Sequence, residues 1–353
     1  MSEACRCWSH SPSCLRASSL RSRLRSALAP GTWRASGSKQ RYVPRSRKRR
    51  FFAISKRTRT LVFTDLDGTL LDQNSYSWVG ASQALEQLRR QKIPLIFCTS
   101  KTRTEVKAIR RAIGNTHPFI VENGGAIIIP AGYFPDVAPF GAKAKAFTMI
   151  IGRPYQELVR ELRRLAQDTG IAVRGFHQMS DQELARETGL TMREAHMARQ
   201  RETGEPFLFR DATPAEIRTF SRKAQARGYS VLRGGRFWHF SGGCDKGLAL
   251  SVLIGFFRTA WQTRIVTVAL GDSGNDLPMF RLVDRPILIP KADGSFASEV
   301  IQAMPRIRRA KNAGPQGWAA AVLDALRPRG HASKVRQARP SHSEVEQDAL
   351  TPV

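Results

Sequence analysis

Short apolar runs alternate with amphipathic stretches between about residue 59 and about residue 328. The apolar runs are rich in β-branched and aromatic side chains, which is typical of buried strands. These runs are Leu61–Thr64, Ile93–Cys98, Phe119–Val121, Ala126–Ile129, Ile265–Leu270 and Ile287–Ile289. Helical spacing of apolar residues predicts helices over Gly80–Gln91, after Thr102, over Lys246–Phe257 and over Trp318–Leu326. Because strands alternate with helices, the sequence predicts an α/β fold with a doubly wound, mainly parallel sheet, a Rossmann-like core.

Residues 141–240 interrupt this pattern with a second block of strands and helices. The apolar pattern predicts strands over Ala146–Ile151, Ile171–Phe176 and Phe207–Phe209, a helix over Pro154–Thr169 and a hairpin about Gly234-Gly235. Ser180 and Thr191 each precede a Glu by three residues, as Thr102 does in the core, which is the capping-box signature of a helix start. Thr213 opens another helix, with Pro214 at its first position. A block of this length inside a doubly wound domain predicts an inserted α/β cap domain. The expected organisation is core at 59–140, cap at 141–240 and core again at 241–328.

Polar residues follow several of the predicted core strands directly. Asp65 and Asp67 come after the first strand, and two carboxylates so close together repel each other and resist desolvation. Thr99 and Asn123 follow the next two strands, and ligands of doubly wound sheets bind at such carboxyl ends. The pattern indicates a bound cation or a phosphate-handling site. An acidic loop that only caps a strand is the alternative reading.

The run D-L-D-G-T-L at 65–70 resembles the first motif of the haloacid dehalogenase superfamily of phosphatases. The resemblance implies that Asp65 is the nucleophile, which becomes phosphorylated, and that Asp67 is the general acid and base. It also implies Mg²⁺ as cofactor, held by Asp65, by the main-chain carbonyl of Asp67 and by Asp272 in the run G-D-S-G-N-D at 271–276. That run, taken alone, is equally compatible with a generic Gly/Asp turn.

The same resemblance assigns the remaining catalytic groups. Thr99, or the adjacent Ser100, would hydrogen-bond a phosphoryl oxygen, and Lys246 would neutralise the nucleophile and the phosphate. Asp276 would orient Lys246 or a metal-bound water, and Asn275 lies beside it in the same second layer of the site. A strand-end threonine at 99 and a solvated helix-start lysine at 246 are the structural alternatives.

A closer resemblance rests on motifs spread from residue 60 to residue 326. They are F-C-T-S-K-T-R at 97–103, V-E-N-G-G-A at 121–126, M-S-D-Q-E-L-A-R-E-T-G-L at 179–190, G-G-R-F-W-H-F at 234–240, G-C-D-K-G at 243–247 and G-P-Q-G-W at 314–318. These are similar to the mannosyl-3-phosphoglycerate phosphatase family. The resemblance implies a small phosphorylated sugar as substrate, namely mannosyl-3-phosphoglycerate or, in some members, glucosyl-3-phosphoglycerate. The product would be a glycosylglycerate, a compatible solute. A capped phosphatase for another small sugar phosphate remains an alternative.

The family resemblance also suggests where the substrate binds. Arginines suit its carboxylate because their fork is bidentate, and polar cap residues, His239 among them, would read sugar hydroxyls. The candidates are Ser100, Lys101, Arg103, Asn123, Gly124, Gln200, Arg201, Glu202 and Arg236. Thr203-Gly204 departs locally from the family pattern, which bears on sugar preference. Each candidate has the alternative of a solvated surface side chain, and His239 that of a packed core histidine.

Charge is concentrated at the start of the chain. Residues 1–60 hold 16 of the 57 Lys and Arg residues but a single acid, Glu3, in a chain of net charge +28. We interpret 1–58 as a disordered basic extension; a transit peptide, a nucleic-acid-binding arm at 45–50 or a start codon nearer Lys56 are the alternatives. The few aromatic residues in this arm argue against a specific nucleic-acid reader. The remaining positive charge fits attraction of an anionic substrate.

The cysteine content and the hydropathy of the chain argue against a disulfide-rich secreted protein and against a membrane-spanning protein. Only Cys98 and Cys244 lie in the body, which is no disulfide framework and predicts a reducing cytoplasm. No apolar run approaches the roughly 18 residues of a membrane span. Residues 329–353 read as a loose polar tail. The sequence leaves the oligomeric state open.

Overall fold

The structure, a computed structural model, describes residues 55–137, 146–234 and 236–327. The expectations for the tail at 329–353 lie outside the described residues, as do those for the basic extension up to residue 54. Residues 55–58 belong to the first strand, so the extension ends earlier than the sequence predicts. Their register explains this, because Thr58 is already paired with Arg264 of a neighbouring parallel strand.

Twelve strands and ten helices make up the described part of the chain. The strands are β1 Ser55–Thr64, β2 Leu95–Cys98, β3 Phe119–Val121, β4 Ala126–Ile129, β5 Phe147–Ile150, β6 Val173–Gly175, β7 Gly204–Phe209, β8 Tyr229–Arg233, β9 Trp238–Gly242, β10 Thr263–Gly271, β11 Arg285–Leu288 and β12 Arg308–Arg309. The helices are α1 Ser82–Arg90, α2 Arg103–Ile113, α3 Tyr155–Thr169, α4 Asp181–Thr188, α5 Met192–Arg199, α6 Pro214–Ala226, α7 Lys246–Trp261, α8 Leu277–Phe280, α9 Ser298–Ala303 and α10 Gly314–Leu326.

Eight strands form the large sheet, in the order β12-β11-β10-β1-β2-β3-β4-β5. The six strands from β12 to β3 are parallel, and β4 and β5 continue the sheet antiparallel at one edge. This confirms the doubly wound, mainly parallel core. The two-residue strand β12 lay beyond the last predicted strand, because two exposed arginines carry no apolar signal.

One strand lies in a different sheet from the one expected. The predicted cap begins at residue 141, yet β5 pairs with β4 and forms the edge of the large sheet. An apolar run shows that a strand exists but not which neighbour it pairs with. The second layer of the fold therefore starts after β5.

Helices cover both faces of the large sheet. On one face α10 contributes Trp318, which is fully buried, together with apolar side chains of α1 and α2. On the other face α7 and α8 bury Leu250, Phe257 and Phe280 against the opposite side chains of the same strands. Burial on both sides accounts for the unbroken apolar runs of these strands.

A four-stranded antiparallel sheet, in the order β6-β7-β9-β8, is inserted between β5 and α7. Its own core joins Leu158 and Leu162 of α3 to Phe207, Phe220 and Phe240. The predicted capping boxes at the starts of α2, α4 and α5 are present, and a further capping box opens α6. We call this layer the cap. The fold class expected from the sequence, an α/β core with an inserted α/β cap, is confirmed.

A search of the described ranges for a helix both long enough and apolar enough to cross a bilayer found no candidate.

Candidate active site

The carboxyl ends of four neighbouring strands of the large sheet converge on one edge. Asp65 follows β1, Thr99 follows β2, Asn123 lies in the turn after β3, and Asp272 follows β10. The Asp65 N–H donates to the carbonyl of Leu270 at 2.9 Å, which extends the ladder into the site. The topology therefore brings together side chains that are up to 207 positions apart in the sequence.

Lys246 lies at the centre of this edge. Its Nζ is 2.8 Å from Asp65 Oδ1 and 2.6 Å from Asp276 Oδ1, and its side chain is fully buried. Lys246 begins α7, where the Asp245 side chain caps the helix by accepting from the Leu248 N–H. Burial opposes the charge on Lys246, but the carboxylates of Asp276 and Asp65 outweigh it and raise the pKa of the ammonium above its ordinary value.

Three carboxylates lie close enough to share a cation. One oxygen from each of Asp65, Asp272 and Asp276 lies within 4.8 Å of the other two. Burial, with Asp276 nearby and Lys246 opposing, raises the pKa of Asp65 to about 6. Burial and the neighbouring carboxylates of Asp65 and Asp276 raise the pKa of Asp272 well above its usual range. Such crowding of buried acids fits a divalent cation that prefers oxygen ligands.

Asp276 is less available as a cation ligand than Asp65 or Asp272, because both of its carboxylate oxygens already have partners. Its Oδ2 accepts from the N–H groups of Asp272 at 3.0 Å and Ser273 at 3.1 Å, while its Oδ1 meets Lys246. Asp276 therefore shapes the 271–276 turn and orients Lys246. This geometry is the one expected for a supporting residue rather than a direct cation ligand.

A glycine permits the close approach of the first motif to this turn. Gly68 has a left-handed φ of +71°, and a Cβ there would lie 2.9 Å from Asp272 Oδ2. Any larger residue at 68 would push the Asp272 carboxylate away and strain the backbone.

Asp67 faces a different partner from the other acids. Its Oδ1 lies 3.0 Å from Lys101 Nζ, and the same Nζ is 3.6 Å from a carboxylate oxygen of Glu105. Burial raises the pKa of Asp67 although Lys101 opposes this. The side chain of Asp67 thus pairs with Lys101 rather than joining the three-carboxylate cluster. The family resemblance assigns its main-chain carbonyl, not its side chain, to the metal.

Loop residues from the two halves of the core meet behind these acids. Asn275 Nδ2 donates to Asn123 Oδ1 at 3.2 Å, and Ser273 Oγ donates to Asn275 Oδ1 at 2.7 Å. Thr99 is fully buried; its hydroxyl accepts from the Lys101 N–H at 3.2 Å, and its carbonyl accepts from the Asn123 N–H at 2.9 Å. The loops after β2, β3 and β10 are therefore fixed relative to one another.

A cleft of about 380 Å³ opens between the strand ends and the cap. Eight of the residues that line it were candidates from the sequence: Asp65, Asp67, Ser100, Lys101, Arg201, Arg236, Asp272 and Asn275. His239 also lines the cleft, and burial together with Arg201 and Lys246 lowers its pKa to about 3, which keeps the imidazole neutral.

Three predicted substrate-binding residues have other polar partners. Arg103 Nη2 lies 2.8 Å from Glu202 Oε2, and the Thr104 hydroxyl donates to Gln200 Oε1 at 2.7 Å. Arg103, Gln200 and Glu202 do not line the cleft in the described structure. They join the core loop after β2 to the segment that precedes β7, an arrangement that charge patterning along the chain does not reveal.

Sequence reasoning missed several groups at the site. Phe176 and Phe237 form part of the cleft wall and pack edge to face with ring centroids 4.9 Å apart. Glu105 was recognised only as a capping residue, although it also meets Lys101. Glu122 was quoted within V-E-N-G-G-A without a role. Its position directly after β3 and beside Asn123 was the available signal.

Comparisons with known proteins agree with this geometry. Residues 62–135 match the family of haloacid dehalogenase-like hydrolases. A protein of Methanococcoides burtonii named glucosyl-3-phosphoglycerate/mannosyl-3-phosphoglycerate phosphatase is 38% identical over 270 residues, covering 75% of this chain and 97% of that protein. A protein of the same name from Persephonella marina is 37% identical over 259 residues, covering 73% and 94%.

The fold is shared with more distant structures. A haloacid dehalogenase-like hydrolase from Bacteroides thetaiotaomicron aligns with a TM-score of 0.51 at 17% identity, covering 76% of this chain and all of that one. Because the Methanococcoides and Persephonella relatives are this similar over most of the chain, the protein is a phosphoric monoester hydrolase that belongs to the glucosyl-3-phosphoglycerate/mannosyl-3-phosphoglycerate phosphatase family of haloacid dehalogenase-like hydrolases.

Proposed function

We propose that the protein hydrolyses mannosyl-3-phosphoglycerate, and also glucosyl-3-phosphoglycerate, to the glycosylglycerate and phosphate. The observation that carries this proposal is the contact of Lys246 with Asp65 beside the carboxylate of Asp272, at the floor of a cleft roofed by the cap. The names of the two relatives supply the substrate class.

In the first step, a carboxylate oxygen of Asp65 attacks phosphorus. A P–O bond to Asp65 forms while the ester P–O bond breaks, and Asp67 gives its proton to the departing alkoxide of the glycerate. Lys246 offsets negative charge on the nucleophile and on the transferring phosphoryl group.

In the second step, water cleaves the aspartyl phosphate. Asp67, now ionised, takes a proton from that water, which attacks phosphorus and releases Asp65 and phosphate. Burial raises the pKa of Asp67, which favours its protonated form more than exposure to solvent would.

The acid cluster fits Mg²⁺, with Asp65, Asp272 and the main-chain carbonyl of Asp67 as protein ligands. When bound, the ion supplies positive charge that aligns the phosphate and offsets its negative charge. Asp276 supports the cluster through its contacts with Lys246 and the N–H groups of 272 and 273. Asn275 and Asn123 support it through their mutual hydrogen bond, and Gly124 follows Asn123 in the same turn.

The cleft offers matching groups for the rest of the substrate. We assign the glycerate carboxylate to Arg201 and Arg236, the phosphoryl oxygens to Ser100 with Thr99 behind it, and sugar hydroxyls to His239. Lys101 is placed to hold Asp67 in position. Both described cysteines, Cys98 and Cys244, are free, which supports a cytoplasmic reaction.

The test is phosphate release from a panel of esters, with Mg²⁺ present and after chelation. We expect the highest kcat/KM on the two glycosyl phosphoglycerates and loss of turnover without Mg²⁺. A preference for a carboxylate-free ester, such as a phosphorylated sucrose or trehalose, would refute the phosphoglycerate assignment. Turnover that survives chelation would refute the metal assignment.

A further inference from the structure

Glu122 is a buried acid for which the proposed reaction has no use. It follows β3 with a left-handed φ of 51°, which is uncommon for a residue with a long side chain, and it is only 1% exposed. Burying a carboxylate is costly unless hydrogen bonds offset the loss of water. The structure therefore contains both a strained backbone and a buried charge at one position.

The Glu122 carboxylate accepts hydrogen bonds from the start of the cap strand. The Glu202 N–H donates to Oε1 at 2.9 Å and the Thr203 N–H donates to Oε2 at 2.8 Å. Burial raises the pKa of Glu122, while Arg201 and these two N–H groups oppose the shift. The bonds cross from the core loop after β3 to the segment that leads into β7.

The same residue also reaches the loop after β2. The Glu122 N–H donates to the carbonyl of Lys101 at 3.0 Å. Glu122 thus connects three segments: the loop that carries Lys101, the turn after β3, and residues 202–203 of the cap.

A second observation shows how closely these segments approach. A Cβ at Gly125 would lie 1.8 Å from Thr203 Oγ1, so no side chain fits there. The carbonyl of Gly125 accepts from the N–H groups of Ile151 and Gly152, which lead from β5 into the cap. The 122–125 turn therefore contacts both the segment that enters the cap from β5 and the segment that precedes β7.

Arg201 lies directly before the anchored residues. Its Nη1 donates to the Ser100 carbonyl at 2.8 Å, its Nε donates to the Ala198 carbonyl at 2.8 Å, and its side chain lines the cleft. We propose that Glu122 is a positioning residue, which anchors Glu202 and Thr203 to the core and thereby holds Arg201 over the cleft. The anchor is a structural relationship, and only its effect on glycosyl phosphoglycerates rests on the proposed function.

The test compares Glu122→Gln with the wild-type protein on two substrates. In the wild-type protein the Glu202 N–H lies 2.9 Å from Oε1 and 3.1 Å from Oε2, and Oε2 also accepts from Thr203. A glutamine whose oxygen takes the Oε2 position therefore places its NH2 group against the Glu202 N–H, which weakens that bond. We expect KM for mannosyl-3-phosphoglycerate to rise about tenfold, the loss of roughly one hydrogen bond to a charged group, with a smaller change in kcat. p-Nitrophenyl phosphate has no glycerate carboxylate for Arg201 to bind, so its kcat/KM should stay within about twofold.

Amide hydrogen exchange gives a readout that does not depend on the substrate. We expect residues 202 and 203 to exchange faster in Glu122→Gln, while amides of β1 keep their protection. Glu122→Asp, which tolerates the left-handed backbone better but is one methylene shorter, should show the same changes to a smaller extent. Glu216→Gln, at an exposed capping box on α6, is the matched control. It should change neither kcat nor KM on either substrate.

Two results would overturn the anchor. Equal losses on both substrates in Glu122→Gln would show a general structural role, and unchanged exchange at 202 and 203 would show that the carboxylate does not hold them. If the wild-type protein turned over neither glycosyl phosphoglycerate, the proposed function would fail. The exchange data would then decide for or against the anchor by themselves.

Discussion

Lys246 Nζ lies 2.8 Å from Asp65 Oδ1, although the two residues are 181 positions apart and belong to opposite halves of the core. The cap lies between those halves in sequence, so this contact joins the two segments of the core. Each partner adjoins a regular element: Asp65 directly follows β1, and Lys246 begins α7. The fold thus fixes both ends of the contact through backbone hydrogen bonds rather than through flexible loops.

Replacing Lys246 by Met should destabilise the fold. The variant leaves Asp65 and Asp276 buried without their cation, and breaking a buried ion pair costs about 3–5 kcal/mol. The pKa of Asp65, already raised to about 6, should rise further without the ammonium. Since the folded state then binds more protons than the unfolded one, the stability of the variant should fall as pH rises from the ordinary carboxyl range to beyond about 6. Denaturant unfolding at several pH values measures this.

The double variant Lys246→Met/Asp276→Asn serves as the control for that experiment. Removing one of the two uncompensated charges should recover part of the lost free energy of unfolding. If the double variant is less stable than Lys246→Met at neutral pH, charge burial is not the cause of the loss.

Asp65→Asn and Asp67→Asn should fail at different steps. Asp65→Asn removes the proposed nucleophile, so kcat should fall by about 10³-fold or more on every ester. Asp67→Asn still permits attack when the leaving group needs no proton, as with p-nitrophenyl phosphate, but slows hydrolysis of the aspartyl phosphate. Rapid-mixing kinetics should then show a burst of about one p-nitrophenol per enzyme, followed by slow turnover.

Near-native circular dichroism in both variants is the necessary control. A burst from Asp65→Asn, or none from Asp67→Asn despite slow turnover, would contradict the assignment of roles.

The sequence predicted the core well because its signals are local. Unbroken apolar runs bounded by polar strand ends identified β1, β2, β3 and β10, and Asp65 followed from its place after the first of these. Each capping box located a helix start because the pattern lies within four residues. Lys246 was found through motif resemblance, since nothing in its own neighbourhood indicates that its side chain is buried.

Long-range contacts explain what the sequence did not predict. Gln200 and Glu202 are polar residues in a cap, as substrate-binding groups would be, but their partners Thr104 and Arg103 are nearly 100 positions away. The pairing of β5 with β4 was likewise missed, because the apolar run of β5 predicts a strand but does not indicate which strand it pairs with. These contacts join residues that are distant in sequence, so local sequence patterns do not predict them.

Mg²⁺ should bind more weakly as pH falls below about 6. The pKa of Asp65 is raised to about 6 and that of Asp272 lies well above its usual range, so protons compete with the ion for these oxygens as the pH falls. Added Mg²⁺ should therefore raise the melting temperature more at about pH 7.5 than at about pH 5. In Asp272→Asn, added Mg²⁺ should not raise the melting temperature at either pH. A shift that is independent of pH in the wild-type protein would place the ion elsewhere.

Trp318 should contribute to stability without contributing to chemistry. It is fully buried on α10, its Nε1 donates to Thr64 Oγ1 at 2.9 Å, and that hydroxyl donates to the carbonyl of Asp65 at 2.7 Å. Trp318→Phe removes the donor and leaves a small cavity, which should lower the free energy of unfolding by about 2–4 kcal/mol. The Thr64 hydroxyl keeps its bond to Asp65, so kcat at a temperature where the variant is folded should change by less than about threefold.

The half-buried Trp261 at the end of α7 is the matched control for that variant. It lies under the Arg59 guanidinium, 3.7 Å from its ring centroid. Trp261→Phe loses part of a cation–π contact near the surface, so its stability should fall by less than about 1 kcal/mol. If Trp318→Phe instead retained its stability but lost most of its kcat, the indole would be needed to hold Asp65 in the geometry for attack. Denaturant unfolding and steady-state kinetics on the same two variants separate these outcomes.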